Sequence, residues 1–336
     1  MTAASLPSIA PAEICAALRG AKNVALIGHV TPDADCLGSL GGLWLALPEL
    51  GVRPHAALPD GTVSRKLEFL VQHAGMKPAS AAELRECDLA LVVDTAKDRR
   101  VNLDGKLESI PRAAVLNVDH HETNTRFGKW NWVVPHASSS AELVFELLTA
   151  LGCQITPTVA TLLYAGLHAD TQGFSLSNTT PRSLQVGYEL AARGARVREV
   201  CERLHRSHSR SEFDLLKIVY ANTRVTPDGR LAWSTVSHDE IVAAGCNAND
   251  IDDQVEVPRS VEGALVAILF SEGHRGKIRM NFRGESGVSV LPLAAQFGGG
   301  GHNASAGAIL DGTIHEVSER VIAAAREFAA GLPPLD

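Results

Sequence analysis

The stretch His29-Val-Thr-Pro-Asp-Ala-Asp35 holds three strong metal ligands within seven residues, and the rest of the chain is interpreted around it. One glycine separates it from the apolar run Val24-Ala-Leu-Ile27, which predicts a strand. Pro32 fixes its own φ and biases the residue before it towards extended backbone. The pattern therefore indicates an open turn that leaves a strand.

Two interpretations of the acidic pair in this stretch are open. Side chains two apart in an extended segment point the same way, which would put the carboxylates of Asp33 and Asp35 side by side. Two such anions repel each other unless a cation lies between them. Alternatively, one of them caps a helix that begins near Gly38, a common role for aspartate after a strand.

Composition limits the classes of protein to which the chain can belong. A length of 336 residues predicts about two domains, and 45% hydrophobic with 21% charged residues is typical of globular proteins. A formal net charge of −7 argues against binding long duplex nucleic acid. The apolar stretches are shorter than the ~20 residues that a bilayer requires, and the first ten residues resemble no secretory signal. Six cysteines without a Cys-x-x-Cys pair fit a reducing compartment, so we expect a cytoplasmic protein without membrane contact.

Apolar runs that end in aspartate predict the fold of the first half. Residues 88–94 and 113–119 are buried-strand patterns, and helical stretches separate them, which indicates an α/β fold with a parallel sheet covered on both faces. Ligands bind such sheets beyond the carboxyl ends of the strands. Asp33, Asp94 and Asp119 would all lie on that edge. Asp170 falls at a predicted helix end, where a carboxylate opposes the helix dipole and a nearby cation would compensate.

The second half carries a basic strand and a glycine-rich stretch. Lys277, Arg279, Asn281 and Arg283 alternate with apolar residues, which places them on one face of a strand. About a dozen residues later comes Gln296-Phe-Gly-Gly-Gly-Gly301-His302, whose glycines let backbone N–H groups approach an anion. A wet strand face and a flexible hinge are the alternatives. Together the two features predict a phosphate or nucleotide pocket.

The ligand-type residues number more than one ion can take. They are His29, Asp33, Asp35, Asp94, Asp119, His120, His121 and Asp170. A carboxylate-rich set with some imidazoles favours two Mn²⁺ ions, with Mg²⁺ as the alternative. Two such ions clamp a phosphoryl group and lower the pKa of a shared water, so the set predicts phosphoester hydrolysis.

The same residues resemble the motifs of a known family. His29-x-x-x-Asp33-x-Asp35, Asp94, Asp119-His120-His121 and Asp170 look like the four motifs of the DHH phosphoesterase superfamily. Residues 298–307 look like the glycine-histidine motif of the DHHA1 domain, except that Ser305 stands where many members have alanine. Within the superfamily the chain is most similar to the nanoRNase (oligoribonuclease) and pAp-phosphatase branch.

The resemblance implies a fold and a domain organisation. We expect an α/β protein with a DHH domain at residues 1–190, built on a Rossmann-like, mainly parallel sheet. A helical linker at 191–212 would lead to a smaller DHHA1 domain at 213–336 with a mixed sheet. The active site would lie in the cleft between the domains, and a homodimer is expected because dimers are common in the family.

The resemblance also implies roles for single residues. His29 and Asp33 would bind the first metal, Asp35, His120 and Asp170 the second, and Asp94 would bridge both. Asp119 would orient a histidine, and His121 would face the substrate phosphate as an acid or hydrogen-bond donor. Arg283, His302 and the backbone of Gly300 and Gly301 would hold a terminal phosphate or nucleotide, with Arg279 as a further candidate.

The implied activity is hydrolysis of short RNA oligonucleotides to 5′-mononucleotides, with removal of the 3′-phosphate of pAp. The alternative keeps the site and changes the substrate to cyclic di-AMP or its linear product pApA. A manganese pyrophosphatase would carry a lysine- and arginine-based motif in place of the glycine-histidine stretch. A nucleotide sensor without catalytic activity would have lost metal ligands, and here every expected position is filled.

Overall fold

The computed structural model describes residues 10–58, 63–103, 107–206, 209–248, 250–285 and 287–333, without the side chains of residues 252 and 253. The chain divides into two compact units, Met1–Ser207 and His208–Asp336, and each unit has its own sheet. Part of the stretch expected to link the domains is a helix of the first unit, at residues 197–205. The domain limits and the linker range given above stay predictions.

The first unit alternates strands with helices. Its strands are β1 (Asn23–Ile27), β2 (Arg53–Ala57), β3 (Leu89–Val93), β4 (Ala114–Asp119) and β5 (Trp130–Val133). Its helices are α1 (Ala12–Gly20), α2 (Ala34–Ala46), α3 (Glu68–Ala74), α4 (Ala81–Arg85), α5 (Ser140–Leu151), α6 (Pro157–Asp170), α7 (Pro181–Ala192) and α8 (Val197–His205).

The five strands form one parallel sheet in the order β2-β1-β3-β4-β5, as the apolar runs predicted. Alternate side chains of β1 enter different cores: Val24 and Leu26 pack with the large helices, and Ala25 and Ile27 pack in the opposite core near α4. Burial on both faces explains why the strands are continuously apolar. The carboxyl ends of β1, β3 and β4 consequently lie along one edge.

Helix α2 begins earlier than the sequence suggested. The expected start near Gly38 is wrong because Asp33, with extended backbone, is the N-cap and its side chain accepts from the N–H groups of Asp35 and Cys36. Asp35 therefore lies in the first helical turn, and the expectation of two carboxylates side by side on an extended segment is also wrong. Side chains of an N-cap and of a first-turn residue diverge, so each carboxylate reaches different partners.

Close packing of α2 on α6 brings two site-bearing segments together. A Cβ at Gly38 would lie 2.3 Å from the carbonyl oxygen of Leu162, so only glycine permits this approach. The N-terminal end of α2 follows the site turn, and α6 ends in Asp170. The helix contact thus places Asp170 near the carboxyl edge of the sheet.

The second unit has a mixed sheet, as expected. Its strands are β6 (Arg224–Val225), β7 (Leu231–Val236), β8 (Val266–His274), β9 (Lys277–Gly284), β10 (Gly300–Gly301) and β11 (Ser305–Asp311), in the order β10-β11-β9-β8-β7-β6. Its helices are α9 (Arg210–Asn222), α10 (His238–Ala243), α11 (Glu256–Arg259), α12 (Leu291–Ala295) and α13 (Ile314–Ala330). Only β7 and β8 pair in parallel.

The apolar side of β9 forms the core of the second unit. Ile278, Met280 and Phe282 are fully buried and pack with Val321 and Ala325 of α13. Arg279, Asn281 and Arg283 consequently lie on the other face of the strand, as the alternation predicted. Among the described residues, no helix combines the length and the apolar character that crossing a bilayer requires.

Candidate active site

Asp94 occupies the centre of the candidate site in the first unit. Its carboxylate lies between two imidazoles, with Oδ2 3.4 Å from Nε2 of His29 and Oδ1 3.5 Å from Nε2 of His120. Its backbone has φ of 53°, a left-handed conformation that costs a non-glycine residue about 1–3 kcal/mol and is found preferentially at functional sites. Burial alone would raise the pKa of Asp94, but the imidazoles of His120 and His29 beside it hold that pKa well below its usual range.

On one side of Asp94, His29 and Asp33 form the first group of ligands. Oδ2 of Asp33 is 3.7 Å from Nε2 of His29, whereas Oδ1 of Asp33 caps helix α2 at 3.0 Å from two N–H groups. One oxygen of Asp33 therefore caps the helix while the other lies near His29. Burial would lower the pKa of His29, but hydrogen bonds and charge from Asp33 and Asp94 raise it to about 10.

On the other side, three carboxylates surround Nε2 of His120. The nearest oxygens belong to Asp170 at 3.2 Å, Asp94 at 3.5 Å and Asp35 at 3.9 Å. Nδ1 of His120 is 3.2 Å from the carbonyl oxygen of Ala137, which requires Nδ1–H as donor and leaves Nε2 to face the carboxylates. Burial raises the pKa of Asp170 to about 6, with His120 opposing the shift and Asp33 and Asp94 adding to it.

Asp35 is the most deeply buried carboxylate of the group. Its Oδ2 and Oδ1 accept hydrogen bonds from the N–H groups of Ser140, at 2.6 Å, and Ala141, at 2.9 Å, at the start of α5. The positive end of that helix favours a carboxylate there. Even so, burial and the charges of Asp170 and Asp94 raise the pKa of Asp35 well above its usual range.

Asp119 and His121 form a separate pair beside Asp94. Nδ1 of His121 donates to Oδ1 of Asp119 at 2.7 Å, and Oδ2 of Asp119 accepts from Nδ2 of Asn124 at 2.6 Å. Asn124 also donates to the side-chain oxygen of Asn117 at 2.7 Å. Asp119 is thus fixed from two sides and holds Nδ1 of His121, which fixes the orientation of the imidazole ring.

These residues fit a pair of divalent cations. His29, Asp33 and Asp94 supply one nitrogen and carboxylate oxygens at one end, and Asp35, Asp94, His120 and Asp170 do so at the other. The ligand atoms of Asp35, Asp94 and His120 lie within 4.8 Å of one another. The raised pKa values of Asp35 and Asp170 have crowding of negative charge among their causes, which cations would relieve. A mixed oxygen and nitrogen set suits Mn²⁺ or Mg²⁺.

The second unit places its predicted residues on one face of its sheet, where Asn281 is buried and the two arginines are half-buried. Arg279, Asn281 and Arg283 project from β9, and their partners across the strand pair are Ile309, Gly307 and Ser305 of β11. Gly300 of β10 pairs with Gly307 in turn. Directly paired residues of antiparallel strands share a face. Two neighbouring glycines therefore leave bare backbone beside Asn281, with an arginine on either side along β9.

The glycines at and before strand β10 differ in how much space surrounds them. A Cβ at Gly299 would lie 2.3 Å from the carbonyl oxygen of Gly307, and one at Gly301 would lie 2.5 Å from that of Ser305. A Cβ at Gly300 would meet no described atom within 4 Å. Packing within the unit thus explains glycine at 299 and 301. His302 follows at the turn, where its N–H donates to the carbonyl oxygen of Ser305 at 2.7 Å.

Three positions that shape the first-unit site did not stand out in the sequence. Ser140 binds Asp35 through its N–H, and its hydroxyl donates to Oδ1 of Asp94 at 3.1 Å. A Cβ at Gly166 of α6 would lie 2.7 Å from Oδ1 of Asp35, so this glycine makes room for the carboxylate. Asn124 holds Asp119. A glycine inside a helical pattern and the serine run 138–140 were the available signals.

Comparison with known proteins agrees with this geometry. The family model of the N-terminal domain of the DHH family matches residues 23–167, and that of the DHHA1 domain matches residues 232–331. The bifunctional oligoribonuclease and PAP phosphatase NrnA of Thermus thermophilus is 33% identical over 94% of this chain and 92% of its own. The chain belongs to the DHH family.

Further relatives of this DHH protein differ in length and activity. The cyclic-di-AMP phosphodiesterase GdpP of Geobacillus thermodenitrificans is 28% identical over 93% of this chain but only 48% of its own length. A crystal structure of an exopolyphosphatase-related protein from Bacteroides fragilis has a TM-score of 0.86 and 22% identity, covering 97% of this chain and 99% of that one. This second likeness shows the fold.

Proposed function

We propose that this DHH protein hydrolyses short RNA oligonucleotides to 5′-mononucleotides and pAp to AMP, with two divalent cations, Mn²⁺ in preference to Mg²⁺. The observation that carries the proposal is the position of Asp94, whose two carboxylate oxygens face His29 and His120 separately. A single carboxylate between two ligand groups is the arrangement that a two-metal site needs. The activity of the NrnA relative, an oligoribonuclease and PAP phosphatase, supports the choice of substrates.

The metal ligands divide into two groups around Asp94. His29 and Asp33 would hold one cation, and Asp35, His120 and Asp170 would hold the other. Two such cations would stabilise the charge of a phosphoryl group. They would also lower the pKa of a bound water molecule to near neutral. The protein contributes the fixed positions of the ligands, because Asp35 is held by the start of α5 and His120 by the carbonyl oxygen of Ala137.

His121 is proposed as the residue that contacts the substrate phosphate. Its Nδ1–H donates to Asp119, which orients the ring, and Nε2 would donate a hydrogen bond or a proton to a phosphate oxygen or to the leaving oxygen. Asp119 acts through His121: the carboxylate stabilises positive charge on the ring and fixes its orientation.

The sheet face of the second unit would bind the other end of the substrate. Arginine forks match phosphate oxygens, and the bare backbone at Gly300 lets a phosphate or base come close. We propose Arg283, Gly300, Gly301 and His302 as contacts, with Arg279 as an additional one. Arg283 is held by an ion pair in which its Nε is 3.5 Å from Oε1 of Glu256.

A second candidate activity uses the same residues. Cyclic di-AMP and pApA also present an adenylate and a phosphodiester, and the match to a cyclic-di-AMP phosphodiesterase over 93% of this chain favours keeping this alternative. The cleft between the domains, the homodimer and the cytoplasmic location expected from the sequence remain predictions.

The experiment is a turnover assay with Mn²⁺ that compares a 5′-labelled RNA dinucleotide, a five-mer, pAp, pApA and cyclic di-AMP. The proposal predicts that the dinucleotide and pAp are hydrolysed fastest and that chelation of the metal stops both reactions. Faster turnover of cyclic di-AMP would replace it with the second candidate. Absence of any turnover, with nucleotides still binding, would identify a sensor instead.

A further inference from the structure

A group of two histidines and a cysteine lies outside the candidate active site, between α6 and α8. Nε2 of His168 is 2.9 Å from Nε2 of His205 and 3.7 Å from Sγ of Cys201. Cys201 and His205 are four residues apart on α8, so they occupy the same face of that helix. His168 approaches from α6. Three good ligands for a transition metal therefore converge from two helices.

Two of the three donor separations come close to those of a tetrahedral zinc site, whereas the third, between Cys201 and His205, is longer than 4.8 Å. With bonds of about 2.0–2.1 Å to nitrogen and 2.3 Å to sulfur, tetrahedral angles put two nitrogens about 3.3 Å apart and nitrogen and sulfur about 3.6 Å apart. The distance from Nε2 of His168 to the sulfur already matches, and the two imidazole nitrogens would need to separate by about 0.4 Å. The ring of His205 would also need to turn so that its nitrogen approaches Sγ of Cys201 by more than about 1 Å. His205 is exposed at the end of α8, so its side chain can make that adjustment.

The His168 ring is held in a fixed orientation. Tyr164 stacks on it with ring centroids 5.6 Å apart and an interplanar angle of 29°. A Cβ at Gly173 would lie 3.1 Å from Cε1 of the ring, so the loop after α6 covers another side. A ring held this way presents Nε2 to α8, and a fixed ligand reduces the entropy lost on binding a metal.

This group is distinct from the catalytic ligands. His168 and Asp170 are two residues apart on α6. Two residues correspond to about 200° of rotation around a helix, so the two side chains point to nearly opposite sides. His168 faces α8, whereas Asp170 faces His120. Its donors also differ in kind: two imidazoles and a thiol favour zinc, whereas the carboxylate-rich catalytic set favours Mn²⁺ or Mg²⁺.

We propose that His168, Cys201 and His205 bind one Zn²⁺ ion, with the fourth position open to water. The bound ion would tie α8 to the C-terminal half of α6, the helix that ends in Asp170. A simple hydrogen bond between the two imidazoles is the competing explanation for their contact. A hydrogen bond between the imidazoles does not involve Cys201, whereas the zinc site does. Experiments on Cys201 therefore distinguish the two explanations.

The test uses Co²⁺ as a spectroscopic substitute for zinc in the metal-stripped full chain. Thiolate ligation gives a charge-transfer band in the near ultraviolet, and we expect that band in the natural sequence. Cys201→Ser should remove it, whereas Cys36→Ser, which changes the thiol beside the catalytic ligands, should keep it. A missing band in the natural sequence, or a band that survives Cys201→Ser, would overturn the proposal.

A second measurement does not depend on the thiol variants. Zinc bound per chain is measured by competition with a chromophoric chelator for the natural sequence, His205→Ala and His315→Ala. His315 is a matched control because its side chain is also exposed, at 78%. We expect His205→Ala to lose one zinc equivalent per chain and His315→Ala to lose none. Equal zinc content in all three proteins would contradict the site, and circular dichroism verifies that each variant is folded.

Discussion

His121 is joined to Asp119 by a hydrogen bond of 2.7 Å between Nδ1 and Oδ1, and this contact fixes the orientation of the imidazole ring. Asp119 is fully buried, and Asn124 fixes its other oxygen. In metal and catalytic sites, a carboxylate bonded to one ring nitrogen of a histidine sets its tautomer and stabilises the charged ring.

The first prediction concerns that pair. Asp119→Asn keeps the side-chain shape but removes the charge that stabilises positive His121, so kcat should fall by about 10- to 100-fold with little change in KM. Steady-state kinetics on an RNA dinucleotide measure both constants. Asp311→Asn is the control, since that side chain is 83% exposed. Unchanged kcat in Asp119→Asn would show that the carboxylate has no role in catalysis.

The second prediction concerns Gly300. A Cβ there meets no described atom within 4 Å, so Gly300→Ala should leave the melting temperature nearly unchanged while obstructing the bare backbone beside Asn281. We expect KM for the dinucleotide to rise about tenfold, which corresponds to about 1.4 kcal/mol. Gly20→Ala provides a matched control because its Cβ also has open space. If KM is the same in both variants, Gly300 does not contact the substrate.

The third prediction tests Arg283 as a recognition residue. Arg283→Ala should raise KM for the dinucleotide more than it changes hydrolysis of a simple phosphoester, because only the dinucleotide carries a second nucleotide for Arg283 to bind. Arg275→Ala is the control, an arginine that is 68% exposed and paired with Asp239. Equal effects of Arg283→Ala on both substrates would argue against recognition.

The fourth prediction is that metal binding releases protons. With a pKa raised from 6.5 to about 10, His29 stays protonated in the metal-free protein; the stability it contributes is complete below pH 6.5 and is lost as the pH rises through 10. A metal must displace that proton, and below about pH 6 also that of Asp170, whose pKa is raised from 3.8. Affinity for Mn²⁺ should therefore increase with pH.

Calorimetric titration of Mn²⁺ at pH 7, in two buffers with different ionisation heats, measures this coupling. We expect at least about one proton released per chain. Asp33 and Asp94 sustain the raised pKa of His29, so Asp94→Asn should release fewer protons. Identical apparent enthalpies in both buffers would contradict the electrostatic description of the site.

The parallel sheet and its acidic edge could be predicted because their signals are local. Residues 88–94 read as a buried strand that ends in Asp94, and the structure has β3 at Leu89–Val93. The alternation from Lys277 to Arg283 likewise predicted both faces of β9. In each case the pattern of burial is written into consecutive residues.

Contacts between distant segments could not be predicted in the same way. Asp35 is held by Ser140 and by room at Gly166, each more than a hundred residues away in sequence, and no local pattern pairs them. Helix α2 begins at Ala34 and not near Gly38, because Asp33 caps the helix directly after the extended turn at Pro32. Strands β10 and β11 were missed because glycines and small residues there give no apolar period.

The most direct test of the central claim is a paired measurement on the natural sequence and Asp94→Asn. Asparagine tolerates the positive φ of 53° at this position, so the variant removes the charge without straining the backbone. Asp98→Asn, which changes an exposed carboxylate nearby, is the control. Bound Mn²⁺ per chain and turnover of an RNA dinucleotide are measured on the same samples.

The two-metal account predicts about two Mn²⁺ ions per chain in the natural sequence and in Asp98→Asn. In Asp94→Asn, it predicts fewer bound ions and a turnover reduced about a thousandfold or more. One ion per chain in the natural sequence, or near-normal turnover in Asp94→Asn, would contradict it.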